Sequence, residues 1–289
     1  MKILIFGAKG NLGGQLSQVF SEDKEYKVVA WDKDEIDITD RELVFKKISD
    51  LKPELVINAA AYNAVDKCEE DEGQFELARK INSEAVGYLA EACLNTGAIL
   101  VHYSSDYVFA GDKKEGYRED DEPKPINKYG ETKLMGEEEI ISKSGQGLKY
   151  YLIRTSKLFG PKGANETAKP SFFDIMRGLA ETKKIIEVVD EEVSCFTYTP
   201  DLAKATKKLV EGDNGYGIYH ITNVGRATWF EAANFFFKTA KLSVKVNPVS
   251  GEKFPRPAKR PQYSALINTK FDMQRDWKDA LREYLANKQ

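Results

Sequence analysis

A chain of 289 residues with 42% hydrophobic content can bury a substantial core, in one large domain or two intimately joined ones. Its 43 basic and 46 acidic residues leave a formal charge of −3 and are spread through the whole sequence. That excludes the concentrated basic stripe of a nucleic-acid binder and makes any phosphate recognition local.

The apolar run in Met1 to Gly7 is too short for a signal peptide or a membrane span, so a cytoplasmic protein without a membrane partner is expected. Short β-rich runs then alternate with amphipathic segments. Ile3 to Phe6 precedes Gln15 to Ser21, Lys27 to Trp31 precedes Asp40 to Leu51, and Leu55 to Asn58 follows. This alternation predicts βαβ units and a parallel sheet. Ile99 to Tyr103 and Tyr150 to Arg154 continue it, behind helical stretches at Lys80 to Asn95 and Lys128 to Ile141, so six or more parallel strands are expected. Beyond about Ser156 the alternation fades, and helices are predicted near Ser171 to Thr182, Pro200 to Glu211, Thr228 to Thr239 and Trp277 to Asn287. Gly160 to Pro170 and Ser250 to Pro261 are polar and turn-rich, which suits surface loops beside a ligand mouth. Cys68, Cys93 and Cys195 form no close pair, and His102 and His220 are the only histidines, so reduced structural thiols and no metal centre are expected.

Gly7, Gly10 and Gly13 follow the first strand and open the first helix, with Asn11 and Leu12 between them. A backbone bare of side chains there lets a pyrophosphate approach the helix N-terminus. The spacing is Gly-x-x-Gly-x-x-Gly, and its position between strand and helix gives it weight that the pattern alone lacks. Asp32 ends the second strand, roughly 20 residues on, where a carboxylate accepts hydrogen bonds from an adenosine ribose. It favours NADH, whereas the neighbouring Lys33 would attract the 2′-phosphate of NADPH, so either cofactor is compatible. Asp37 and Ile38 are placed to flank the adenine. Ala59, Ala60 and Ala61, after Asn58, are small residues where backbone passes close to the cofactor. The fold expected is α/β: a Rossmann-type doubly wound parallel sheet with a smaller mixed α/β substrate-binding region on its C-terminal side. Residues 1–156 form the dinucleotide-binding domain, and 157–289 form mainly the substrate-binding region, with some segments returning to the first.

Tyr129 and Lys133 lie four residues apart and share one helix face, which brings an ammonium near the phenol. A nearby positive charge lowers a phenol's pKa from about 10 and improves proton transfer to a developing alkoxide. Tyr284 and Lys288 have the same spacing at the end of the chain, so context decides. Tyr129 follows Ser104-Ser105-Asp106, which terminates the strand Ile99 to Tyr103, where ligands bind in open α/β sheets. Ser105 can therefore donate to the carbonyl oxygen that Tyr129 protonates.

With these residues in order, the chain resembles the extended short-chain dehydrogenase/reductases. Ala64-Val65-Asp66-Lys67-Cys68-Glu69, Ser105-Asp106-Tyr107-Val108-Phe109, Arg154-Thr155-Ser156, Gly217-Ile218-Tyr219-His220 and Arg256-Pro257-Ala258-Lys259-Arg260-Pro261 are similar to the dTDP-4-dehydrorhamnose reductase family. The resemblance implies reduction of the C4 ketone of a dTDP-linked 4-keto-6-deoxysugar, a nucleotide-sugar substrate, using NADH or NADPH with a proton from Tyr129. It implies that Lys133 holds the nicotinamide ribose, that Val65, Asp106 and Tyr107 lie at the sugar, and that Arg256, Lys259 and Arg260 meet the diphosphate. It also implies a homodimer.

The chain departs from the family's pattern in places. Ser105 stands where Thr is usual, keeping the hydroxyl. Lys157 replaces a Trp that a sugar could pack against, and Glu192, Ser194 and Phe196 replace Gln, Gly and Pro. The loop Gly160 to Ser171 does not follow the usual pattern, and Gln15 replaces a Glu that in some members holds magnesium, which again argues for no metal. A dehydratase of this superfamily would carry Asp-Glu after the hydroxyl, whereas Tyr107 follows Asp106. An epimerase shares Tyr129 and Lys133 but keeps its cofactor through both hydride steps. A regulatory relative would have less need of hydroxyl, phenol and ammonium together.

Overall fold

The computed structural model describes residues 1–165 and 168–288. Glu166 and Thr167, within the expected loop Gly160 to Pro170, lie outside the described residues. The first half alternates as the sequence predicts: β1 (Lys2–Phe6), α1 (Asn11–Ser21), β2 (Lys27–Trp31), α2 (Arg41–Leu51) and β3 (Leu55–Asn58). Two short helices follow, α3 (Val65–Glu70) and α4 (Glu72–Arg79), then a π-helical turn over Lys80–Glu84 leading into α5 (Ala85–Thr96). The chain continues through β4 (Ile99–Ser105), α6 (Lys128–Ile141) and β5 (Tyr150–Thr155). The second half contains β6 (Leu158–Phe159), α7 (Phe172–Thr182), β7 (Ile185–Val189), β8 (Ser194–Cys195), β9 (Thr197–Tyr198), α8 (Thr199–Glu211) and β10 (Gly217–His220). It ends with β11 (Arg226–Ala227), α9 (Trp229–Thr239), β12 (Lys245–Val249) and α10 (Trp277–Ala286). No helix among the described residues is long and apolar enough to cross a membrane.

Six strands form one parallel sheet in the order β2-β1-β3-β4-β5-β10. The period of two along each strand sorts side chains between its faces. Ile3, Ile5, Leu55, Ile57, Val101, Tyr103, Tyr151 and Ile153 point to the face covered by α1 and α8, where Leu16, Phe20, Leu202 and Leu209 meet them. Leu4, Phe6, Val56, Leu100 and Leu152 point to the other face, against Val44, Ile48, Val86, Leu89 and Ile140 of α2, α5 and α6. Strands buried on both faces read as near-continuous apolar runs, which is why β1 and β3 are so plain in the sequence. A separate aromatic core gathers Phe159, Phe173, Phe196, Tyr198, Phe236, Trp277 and Tyr284 from the second half.

Because β1 sits between β2 and β3, successive connections leave it in opposite directions and open a crevice at the strands' C-terminal ends. The helix that must bring its side chains to that crevice is α6. Asn127 caps it by accepting from the Gly130 N–H at 2.7 Å. One turn beyond Lys133, Glu137 receives Arg154 of β5 in a forked pair, with Nε to Oε1 at 3.0 Å and Nη2 to Oε2 at 2.7 Å, both side chains sealed from water. Removing one partner of such a pair strands the other charge. We therefore expect Arg154→Leu to cost about 3–5 kcal/mol in urea unfolding; a loss below about 1 kcal/mol would show that the pair is replaceable packing.

Candidate active site

The glycine turn is built without room for side chains. Gly7 has φ of 73°, and a Cβ there would come within 2.6 Å of the Ala60 nitrogen; a Cβ on Gly13 would lie 2.0 Å from the Gly7 carbonyl oxygen. The Gly10 N–H donates to that same carbonyl at 3.0 Å, and Gly10 begins α1 with no side chain capping the free N–H groups. An uncapped helix start at the sheet's switch point has the backbone donors and the dipole that a pyrophosphate requires, so the turn fits a dinucleotide. Leu12 is buried in the core beneath, and the Asn11 side chain accepts from the Gly163 N–H at 2.8 Å and donates to the Lys169 carbonyl at 3.0 Å.

Asp32 is buried at the end of β2 and accepts the Lys9 N–H at 2.9 Å, which ties the end of that strand to the glycine turn. Asp37 braces its own turn by accepting from the Thr39 N–H and hydroxyl, and Ile38 is buried in the core among Phe6, Ile36 and Val44. The Ala59 N–H donates to the Phe6 carbonyl at 3.0 Å and the Ala60 N–H to the Asn58 side chain at 3.1 Å, holding the segment against the turn; Ala61 continues it, half-buried.

At the end of β4 the structure brings Ser105, Asp106, Tyr107 and Tyr129 together. Gly130 permits this, since a Cβ there would sit 2.2 Å from the Tyr107 carbonyl oxygen. The Tyr107 and Tyr129 rings meet edge to face at 5.8 Å, with Val65, Tyr62 and Cys68 packed around them. The Tyr129 hydroxyl donates to Asn63 Oδ1 at 3.2 Å. Lys133 points the same way but its ammonium donates to the Tyr103 carbonyl at 2.7 Å. The expected lowering of the phenol by that ammonium is therefore corrected: burial pushes the Tyr129 phenol up, reinforced by Asp106 and opposed by the Ser105 hydroxyl. Burial also pushes the Lys133 ammonium down to about 8, against the pull of Glu137.

The Ser105 hydroxyl donates to Asp106 Oδ1 at 3.2 Å and accepts the Tyr107 N–H at 3.1 Å. Asp106 is itself buried, and burial raises its carboxyl. Hydroxyls of Ser264 at 2.6 Å and Ser194 at 3.0 Å, with Lys157, oppose the rise. Lys157 takes a left-handed backbone, φ 38°, and its ammonium lies 3.9 Å from the centre of the Trp229 ring and 5.1 Å from that of Phe196, donating to the Glu192 carbonyl at 3.2 Å. Arg256 pairs with the Glu192 carboxylate, and Arg260 forks onto Asp66 at 2.9 and 2.8 Å. Lys259 is exposed and apart from these pairs, offering its carbonyl to the Asn127 amide at 2.9 Å.

Asn63, Ser264, Trp229, and the partner roles of Asp66 and Glu192 escaped the sequence reading. Each meets its partner across a long stretch of chain, 66 residues for Asn63 and 158 for Ser264, so no local spacing marks them. Asp66 had a signal in its place beside Val65 in a family motif, and Glu192 in its departure from the family's Gln. The three cysteines are free and buried.

A glycine turn at the switch point of a parallel sheet, facing a hydroxyl, phenol and ammonium set at the next strand ends, defines a Rossmann-fold short-chain dehydrogenase/reductase. The family model described as the RmlD substrate binding domain matches residues 1–289. A dTDP-4-dehydrorhamnose reductase of Aggregatibacter actinomycetemcomitans is 35% identical over 99% of this chain and 98% of its own. The crystal structure of a Clostridium acetobutylicum dTDP-4-dehydrorhamnose reductase superposes with a TM-score of 0.91 at 40% identity, covering 99% of each chain. The Bacillus anthracis enzyme, solved in complex with NADP, gives 0.91 at 35% identity, again over 99% of each. The chain belongs to the dTDP-4-dehydrorhamnose reductase family.

Lys157 gives the site a signature in pH. Its ammonium is pushed down to about 8 by burial, although Asp106 and Glu192 pull it up, against an ordinary value of 10.5. Between those two values the unfolded chain keeps a proton that the folded chain has released, so stability gains as pH rises through this window and that gain is lost as pH falls through about 8. Denaturation of wild type and Lys157→Met between about pH 7 and 10 should show wild type gaining on the variant above about pH 8; parallel curves would mean that Lys157 titrates normally.

Proposed function

We propose that the chain reduces the C4 ketone of dTDP-4-dehydrorhamnose to dTDP-L-rhamnose, with Ser105, Tyr129 and Lys133 as its reacting groups. The observation that carries this reading is the packing of the Tyr129 ring on Tyr107, whose N–H the Ser105 hydroxyl accepts, at the C-terminal strand ends where the glycine turn also lies. Family membership supports the substrate class. A nicotinamide cofactor, NADH or NADPH, supplies the hydride when bound.

Tyr129 gives its hydroxyl proton to the C4 oxygen. A phenol kept protonated by burial is a ready donor, because the alkoxide forming on the sugar is a much stronger base than a phenolate. Ser105 donates to the same oxygen and steadies its developing charge. Lys133, with donors beyond the one given to Tyr103, holds the nicotinamide ribose. Residues 157–289 supply most of the substrate side. Lys157 faces the sugar from the Trp229 side, and Arg256 and Arg260 serve the diphosphate, where forked guanidinium bonds suit a dianion. Val65, Asp106 and Tyr107 complete the sugar pocket.

The test follows loss of nicotinamide absorbance with dTDP-4-dehydrorhamnose, with the sugar product identified. One oxidised cofactor released per dTDP-rhamnose formed is expected, whereas an epimerase would release none. Tyr129→Phe should lower kcat by about 10²–10⁴-fold while still binding cofactor, and Lys133→Ala should weaken both. An unchanged kcat in Tyr129→Phe would remove Tyr129 as the acid.

A further inference from the structure

Behind Lys133, on β4, lie two buried polar atoms that the protein does not pair. The period of two sends Val101 and Tyr103 to the face covered by α1 and α8, and Leu100, His102 and Ser104 to the face that α6 covers. His102 and Ser104 are buried, and among the described residues no protein atom bonds His102 Nε2 or the Ser104 hydroxyl. Between them in the chain is Tyr103, whose carbonyl accepts the Lys133 ammonium at 2.7 Å. The two orphaned atoms therefore flank the point at which the strand grips the lysine.

Their donor and acceptor roles follow from the neighbours. Asn58 Oδ1 accepts the Ala60 N–H at 3.1 Å, which turns the Asn58 amide nitrogen toward His102 Nδ1, 3.1 Å away, so Nδ1 accepts. Burial, and then the charge of Lys133, hold the imidazole well below its ordinary range. It is therefore neutral, with its one proton on Nε2. The corner thus holds an imidazole N–H and an ammonium with N–H groups to spare, all of them donors, beside a hydroxyl that can accept or donate. The imidazole N–H and the ammonium cannot bond each other. A water molecule can accept from both and donate to the hydroxyl, which makes up the roughly three bonds of a typical buried water. Buried polar groups left without such partners are costly and rare.

We propose that His102 and Ser104 are positioning residues: they hold a buried water against Lys133, and this water, together with the Tyr103 carbonyl, aims the ammonium at the cofactor and keeps it charged. The inference rests on the reading of Lys133 as the group that holds the nicotinamide ribose. It gives the lysine a second acceptor where burial pushes the ammonium down to about 8. The other support for that charge is Glu137, which Arg154 engages, and the neighbouring Tyr129 phenol stays protonated.

A crystal structure of the wild-type protein that resolves ordered waters should show one within hydrogen-bond reach of His102 Nε2, Ser104 Oγ and Lys133 Nζ. No water there, or one that leaves Lys133 out, overturns the proposal. The chain has two histidines, so imidazole-nitrogen NMR reads both tautomers. His102 should carry its proton on Nε2, and His220, whose Nδ1 faces the Tyr117 and Ile267 carbonyls, on Nδ1; a His102 proton on Nδ1 overturns the proposal as well. NADPH fluorescence titrated without sugar from about pH 7 to 10 reads Lys133 apart from Lys157, which faces the substrate. Wild-type binding should weaken above about pH 8. In Ser104→Ala, and in His102→Asn, which keeps an acceptor for the Asn58 amide, the weakening should begin about one pH unit lower. Ser104→Thr, which keeps the hydroxyl, should follow wild type. Unmoved profiles in both deletions overturn the role of the water, as does a Ser104→Thr profile displaced as far as that of Ser104→Ala. NADPH binding at about pH 7 reports that a variant has folded, and if neither deletion folds, the wild-type crystal structure and NMR decide. Wild-type protein that binds no NADPH at any pH would overturn the dehydrogenase reading itself.

Discussion

The structure hangs on a guanidinium and a carboxylate buried together. Arg154 lies in β5, hydrogen-bonded between β4 and β10, where it is the register partner of both Ser104 and His220. Its side chain leaves the sheet to fork onto Glu137, crosses the Phe109 ring at 5.0 Å, and reaches the Glu119 carbonyl. One residue thereby fixes the height of α6 over the strand ends. Lys133 lies one turn before Glu137 and Tyr129 one turn before that, so their positions over Ser105 follow from the same anchor. Burying two charges is a poor way to gain stability compared with apolar packing, but it tolerates few alternative alignments. A helix gripped only by Val86 and Ile140 could slide; one gripped by a forked ion pair is held in register.

Around that anchor the polar groups of the crevice are mostly satisfied by the protein itself. Asp106 takes hydroxyls from three serines, Asp66 takes a guanidinium, Glu192 takes an indole N–H and a guanidinium, and Asp32 takes two backbone N–H groups and an amide. Such a site is organised before anything binds, and a fully satisfied buried network resists rearrangement. Arriving ligand groups must then compete with internal partners, most plainly at Arg256 and Arg260, whose charges are engaged by Glu192 and Asp66.

The inner strands were readable from the sequence because they are buried on both faces, and the half-buried edge strand β2 because it falls in the same alternation with helices. Lys27 to Trp31 and Leu55 to Asn58 coincide with β2 and β3, and Lys128 to Ile141 with α6. Helix starts were legible where a side chain caps them, as at Asp40, Ser171 and Thr228, each expected as a first residue and found as the cap itself. The stretch between Val65 and Arg79 gave no such signal, being charged and short in apolar period, and it folds as two small helices against α6. Lys80–Glu84, expected as the start of a helix from Lys80 to Asn95, is a π-turn that no local signal marks, and it seats Asn82, which bonds Tyr62 and Thr132. At the site, the glycine turn and the Tyr129 face were legible because they are local. The direction of the Lys133 ammonium was not. The period of a helix places a residue on a face, but the choice between the Tyr103 carbonyl and the phenol belongs to tertiary packing.

The return of β10 to the sheet has a consequence for how the chain is made. Its residues Gly217 to His220 pair with Tyr151 to Arg154, and α8, which covers the α1 face, also comes from after β5. A ribosome that has delivered everything through β5 has made five strands with an open, apolar parallel edge and one face partly uncovered. The edge stays open until some sixty further residues have emerged, by the spacing of those pairs. Edges of this kind template misassociation, and pairings so distant in sequence close slowly. The nascent protein thus passes through an interval in which its most hydrophobic strands are complete and unprotected, and chaperone capture during synthesis would act in that interval.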